Sequence, residues 1–188
     1  DLARNPVIEG FTTNPTLMRK SGVSDYRAFA LEILEAVRDR PISFEVFADE
    51  FADMHRQALE IASWGENVYV KIPVTNTRGE SAAELVRDLA HSGVKLNVTA
   101  LMTPDQVRTI AACLRGGAAS CISVFAGRIA DTGRDPVPIM LESVKIIGND
   151  PQMELIWASP RELLNIFHAN SIGCQVITVT NDILKKLE

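Results

Sequence analysis

Lys71 stands inside Asn67-Val-Tyr-Val-Lys-Ile-Pro-Val-Thr75, an otherwise apolar run. Two readings are open for such a lysine. It can snorkel to solvent from a strand end, or serve as a plain salt-bridge partner. Alternatively it is desolvated, and burial then disfavours the ammonium and supplies a neutral amine able to form an imine with a ketone. Glu45, in Ile42–Phe47, is either a structural ion-pair partner or a group that moves protons during imine formation and hydrolysis. Thr99 has the hydroxyl to hold a water for that transfer, and Asn97 and Asn14 have the amides to bind substrate hydroxyls. Arg128, Ser159 and Arg161 form a third set. They are ordinary loop residues, or they bind an anion: two guanidinium groups give charge-assisted bonds, and a helix start near Ser159 offers free N–H groups.

These residues need strands to hold them. Short apolar runs at Val7–Thr13, Ile42–Phe47, Val68–Pro73, Val94–Thr99, Cys121–Phe125, Glu154–Ala158 and Cys174–Thr180 read as strands. Helical spacing covers Asp25–Val37, Glu50–Trp64, Ser81–Ser92, Pro104–Leu114, Val137–Ile147 and Pro160–Ala169. Thr103-Pro104 and Ser159-Pro160 each place a capping residue before a proline at the first helical position. Alternating strands and helices imply a parallel sheet. Seven of them suggest a (β/α)8 TIM barrel one strand short, in one domain over residues 1–188. An open doubly wound sheet is the alternative, but no GxGxxG follows the first strand. Side chains alternate across a strand, so Val68, Val70 and Ile72 share one face and Tyr69 and Lys71 the other. The same parity groups Ser43, Glu45 and Phe47, then Lys95, Asn97 and Thr99, then Ser123 and Phe125. Lys71, Glu45, Asn97, Thr99 and Ser123 are therefore expected to face a common interior.

Composition narrows the function. A chain of 188 residues with 46% hydrophobic and 23% charged residues is that of an ordinary globular protein. A formal charge of -5 argues against a nucleic-acid surface. Cys113, Cys121 and Cys174 form no CxxC pair and read as buried, reduced thiols. His55, His91 and His168 lack paired ligand spacing, so no metal is expected. No apolar run is long enough to span a bilayer, and Asp1-Leu2-Ala3-Arg4 has no signal-peptide pattern, so a cytoplasmic location without membrane contact is expected.

The sequence resembles the transaldolase family, in particular its short subfamily, which also contains the fructose 6-phosphate aldolases. The matching segments are Gly10-Phe-Thr-Thr-Asn-Pro-Thr16, Phe44-Glu-Val46, Val70-Lys-Ile-Pro73, Leu96-Asn-Val-Thr-Ala100, Ser123-Val-Phe-Ala-Gly-Arg-Ile-Ala-Asp131 and Trp157-Ala-Ser-Pro-Arg161. Each is weak alone; together, in family order, they are specific.

The resemblance implies a class I enzyme of carbohydrate metabolism, in the pentose phosphate pathway, that needs no cofactor and acts on sugar phosphates. Lys71 matches the family's Schiff-base lysine. Asn14, Glu45, Asn97, Thr99 and Ser123 match pocket residues, and Arg128, Ser159 and Arg161 match the phosphate-binding set. Glu45 and Phe125 match the transaldolases, where the aldolases tend to carry glutamine and tyrosine. A dihydroxyacetone unit would then pass from fructose 6-phosphate to erythrose 4-phosphate. The alternatives are a lyase that releases the three-carbon ketose, an enzyme for an otherwise modified ketose such as a sulfonated one, and a non-catalytic sugar-phosphate-binding barrel. The family pattern also contains an earlier strand bearing an acid/base aspartate, and a helix beyond Lys186. Only eleven residues precede Thr12, so both elements are expected outside this sequence. Relatives in the short subfamily form pentamers and decamers, which implies a homo-oligomer.

Overall fold

A computed structural model describes residues 5–14, 18, 22 and 25–187. Asp1 to Arg4, and Pro15 and Thr16 of the first motif, lie outside the described residues. Seven parallel strands form one sheet: β1 (Phe11–Thr12), β2 (Ile42–Glu45), β3 (Val68–Pro73), β4 (Leu96–Leu101), β5 (Ser120–Val124), β6 (Met153–Trp157) and β7 (Val176–Ile177). Each strand pairs with its neighbour in sequence, in the order β1 to β7. A doubly wound sheet reverses direction part-way, whereas a monotonic order curls one way, so this is a partial (β/α)8 barrel. Among the described residues, β1 and β7 each pair on one side only.

The helices connect the strands: α1 (Tyr26–Ala36), α2 (Phe51–Ala62), α3 (Ala83–His91), α4 (Pro104–Leu114), α5 (Ala126–Ala130), α6 (Val137–Ile147), α7 (Leu164–Ser171) and α8 (Asn181–Leu184). Their starts follow local chemistry. Asp25 accepts the Ala28 N–H at 3.0 Å to cap α1. Thr103 and Gln106 form a reciprocal capping box, with Pro104 at the first helical position of α4. The aliphatic face predicted for β3 is the core face: Val68, Val70 and Ile72 are 3%, 0% and 0% exposed. Each such side chain stabilises the fold by about 1.5–3 kcal/mol. The backbone around Lys71 is thus clamped on its outer face. No helix among the described residues is long and apolar enough to cross a membrane.

Three expectations need correction. The first and last strands are much shorter than their apolar runs, because each has a single ladder partner over two residues. The pair Ser159-Pro160 does not open a helix. Ser159 has a left-handed φ of 56°, and α7 starts at Leu164, with Leu163 at its N-cap and no side-chain cap. A positive φ is incompatible with the extended N-cap conformation that the capping reading required. Phe47 leaves the strand parity once β2 ends at Glu45; it is 52% exposed, and its ring packs edge-on against Tyr26.

Candidate active site

Register places the polar residues side by side. Glu45 is the direct ladder partner of Lys71, and Lys71 of Asn97. The Lys71 amine lies 3.3 Å from a Glu45 carboxylate oxygen and donates to the Thr13 carbonyl at 3.2 Å. Lys71 is only 8% exposed. Withdrawing both charges of such a pair from water offsets most of their attraction, so an ion pair here is a poor stability device. What the arrangement does supply is an amine whose proton has a carboxylate within reach.

Beyond this pair, the Ser123 hydroxyl donates to the Asn97 side-chain oxygen at 2.7 Å, and the Asn97 amide donates to the Ser43 hydroxyl at 3.0 Å. All three side chains are buried. This chain of bonds fixes the orientation of the Asn97 amide beside Lys71. Thr99 sits opposite Pro73 and is 3% exposed. Just after it, the β4–β5 register shifts between Val98 and Leu101, and Ala100 adopts a φ of 64°. The bulge sets Thr99 and Ala100 against Ser123 alone and bends the rim of β4. Asn14 follows the Thr13 carbonyl, and half-buried Phe125 stands at the start of α5.

The anion-binding candidates sit on the same rim, after β5 and β6. Arg128 is exposed on α5. Arg161 is exposed and forms a two-pronged pair with Asp131, its Nε donating to Oδ1 at 2.9 Å and its Nη2 to Oδ2. Hydrogen bonding from Arg161 holds the Asp131 carboxyl below its ordinary range, and Arg128 adds to the effect. The Nε/Nη2 edge of Arg161 is therefore occupied by Asp131. The Gly127 N–H donates to the Ala158 carbonyl at 3.3 Å and docks α5 against the Ser159–Arg161 loop. The helix start expected at Ser159 is not there, since α7 begins only at Leu164.

Four participants escaped the sequence reading. Ser43 shares the face of Glu45, so its parity was a usable signal. Asp131 follows Arg128 by three residues, one helical turn, which was another. The Thr13 carbonyl and the Tyr26 hydroxyl, both on the β1 side of β2, left no sequence signal, since backbone acceptors and long-range pairs are invisible to spacing.

Comparison with known proteins identifies the family. The curated relatives include probable transaldolases of Dehalococcoides mccartyi (34% identical), Thermoanaerobacter sp. (36%) and Geobacter sulfurreducens (35%), each aligned over 96% of this chain and 80–81% of its own length. Among solved structures, a mandelate oxidase mutant carrying a monooxide FMN adduct superposes with a TM-score of 0.54 over 79% of this chain and 50% of its own, at 15% identity, which speaks for the fold alone. Residues 1–188 match the family described as Transaldolase/Fructose-6-phosphate aldolase, and the chain belongs to that family.

Proposed function

We propose that the chain is a transaldolase that moves a dihydroxyacetone unit between a ketose phosphate and an aldose phosphate through a Schiff base on Lys71. The observation that carries the reading is the buried Lys71 amine, 3.3 Å from Glu45 on the adjacent strand at the rim of the barrel. The names of the relatives support the same class.

In this reading Lys71, its proton passed to Glu45, attacks the C2 carbonyl of the ketose. Glu45 returns a proton, directly or through a water at Thr99, as the carbinolamine loses water and becomes the iminium. The C4 hydroxyl then gives up its proton to a base, the role the family pattern assigns to the aspartate of the earlier strand, and the C3–C4 bond breaks. Its electron pair enters the iminium, leaving a dihydroxyacetone enamine on Lys71 and freeing an aldose phosphate. A second aldose phosphate accepts the enamine carbon at its aldehyde, and hydrolysis releases the new ketose. Asn97, held by Ser43 and Ser123, and Asn14 bind substrate hydroxyls, while Arg128, Ser159 and Arg161 take the phosphate. Phe125 supports transfer over simple release: a phenyl ring offers no proton or water to the enamine, so the intermediate waits for an acceptor.

Borohydride with fructose 6-phosphate tests the reading. Reduction is expected to add the mass of the three-carbon adduct to the peptide containing Lys71. An unchanged intact mass would count against any Schiff-base enzyme. Cleavage of fructose 6-phosphate as fast without erythrose 4-phosphate as with it would make the chain a lyase instead.

A further inference from the structure

The β1–β2 ladder breaks at the residue that matters most for the proton transfer proposed above. Phe11 and Thr13 donate their N–H groups to the carbonyls of Pro41 and Ser43, at 2.9 and 3.0 Å. Continuing that alternation by one step would send the Glu45 N–H to the Thr13 carbonyl. It goes elsewhere. The Glu45 N–H donates to the Tyr26 hydroxyl at 2.8 Å, and that hydroxyl also lies 3.2 Å from the Glu45 carbonyl. The Thr13 carbonyl accepts from the Lys71 amine instead.

We propose that the Tyr26 hydroxyl takes over the ladder position that the Thr13 carbonyl would otherwise fill, and so frees that carbonyl to hold the Lys71 amine. Tyr26 is then a positioning residue for both Glu45 and the nucleophile, although it belongs to α1. Its ring is built to stay put. It meets Phe44, Phe47 and Trp64 edge-on, with centroids 6.0, 4.5 and 5.5 Å away. Thr13 is held from the other side, its hydroxyl donating to the Ser43 carbonyl at 2.9 Å. Burial pushes the Tyr26 hydroxyl up to about 12, so it keeps its proton across the working range and can both accept and donate.

The proposal rests on Lys71 being the Schiff-base residue, and the test separates the two. In wild type, borohydride trapping with fructose 6-phosphate reports on Lys71 alone. Tyr26→Phe keeps the ring and its edge contacts but removes the hydroxyl, and the Glu45 N–H is then free to recapture the Thr13 carbonyl. In this variant kcat and the trapping rate are expected to fall at least about tenfold with KM little changed, and the pH profile of kcat to shift, since a proton-transfer pair has been disturbed. If wild type is trapped while Tyr26→Phe matches it in kcat, trapping rate and pH profile, and differs only in melting temperature, the hydroxyl is a structural tie and the proposal is overturned. If wild type itself is not trapped, the Schiff-base reading falls, and the inference with it.

Discussion

A Cβ placed on Gly127 would lie 1.6 Å from the carbonyl oxygen of Ser159 and 2.7 Å from its carbonyl carbon. The loops after β5 and β6 therefore close to a separation that only a glycine permits, and the obstacle is backbone rather than a side chain able to swing away. Gly127→Ala must push α5 off the Ser159 loop and separate Arg128 from Arg161. The overpacking is expected to cost about 1–3 kcal/mol of stability. The functional signature is a KM for fructose 6-phosphate raised by about tenfold or more, with a smaller change for unphosphorylated fructose. Steady-state kinetics on the two sugars checks it, and an equal effect on both would mean that the closure does not serve the phosphate.

The Arg161–Asp131 pair predicts a titration. The carboxyl of Asp131 is held below its ordinary 3.8 by hydrogen bonds from Arg161. A depressed folded value means that the pair contributes fully at pH well above 3.8, and that its contribution is lost as the pH falls through the lower folded value. At neutral pH the guanidinium thus stays oriented. Carboxyl NMR is expected to place the Asp131 midpoint below 3.8 in wild type and back near 3.8 in Arg161→Ala. Asp131→Asn leaves Arg161 free to rotate, and KM for the phosphorylated substrate is expected to rise by about a few-fold.

The register partners Lys71 and Glu45 separate in their mutant kinetics. Lys71→Arg keeps a cation against Glu45 but has no amine able to form an imine, so turnover and borohydride trapping are both expected to vanish. Glu45→Gln keeps the shape and removes the proton acceptor, with kcat expected to drop by about 10²–10⁴-fold and KM to change little. A Glu45→Gln enzyme within a factor of a few of wild type would reduce Glu45 to a charge partner of Lys71.

The positions of Lys71, Glu45 and Asn97 were legible because strand parity is a two-residue rule, and β2, β3 and the first half of β4 obey it; Thr99 keeps its place only through its pairing with Pro73 on β3, since the β4–β5 register shifts there opposite Ser123. The order of strands followed from their alternation with helices. What was not legible depended on backbone conformation or on contacts between distant segments. Ser159-Pro160 carries the sequence signature of a helix start, yet its left-handed φ serves the close approach to Gly127, and tertiary closure overrides local preference. The bulge at Ala100 has no glycine to announce it. Tyr26 falls inside the helical spacing of Asp25–Val37; that its hydroxyl replaces a carbonyl in a ladder depends on where β1 ends, which no periodicity encodes.

The cysteines test how closed the interior is beneath this site. Cys121 is the ladder partner of Asn97, and burial, with a smaller push from Glu154, raises its thiol from 9.0 to about 12. A thiol held that high carries almost no thiolate at pH 8, and the thiolate is the form that reacts. Burial raises Cys174 to about 11; only Cys113, 1% exposed, is buried as expected from the sequence, whereas Cys121 and Cys174 are half-buried, so the prediction for them rests on their raised thiols. Iodoacetamide at pH 8 is therefore expected to leave all three cysteines unmodified in the folded chain, over a time in which urea-unfolded chain takes up three labels by intact mass. Rapid labelling of Cys121 in the folded chain would mean that solvent enters the barrel below Asn97. Solvent would then reach the interior that holds the Lys71 amine, which is 8% exposed, and the borohydride adduct should be weak in the same preparation.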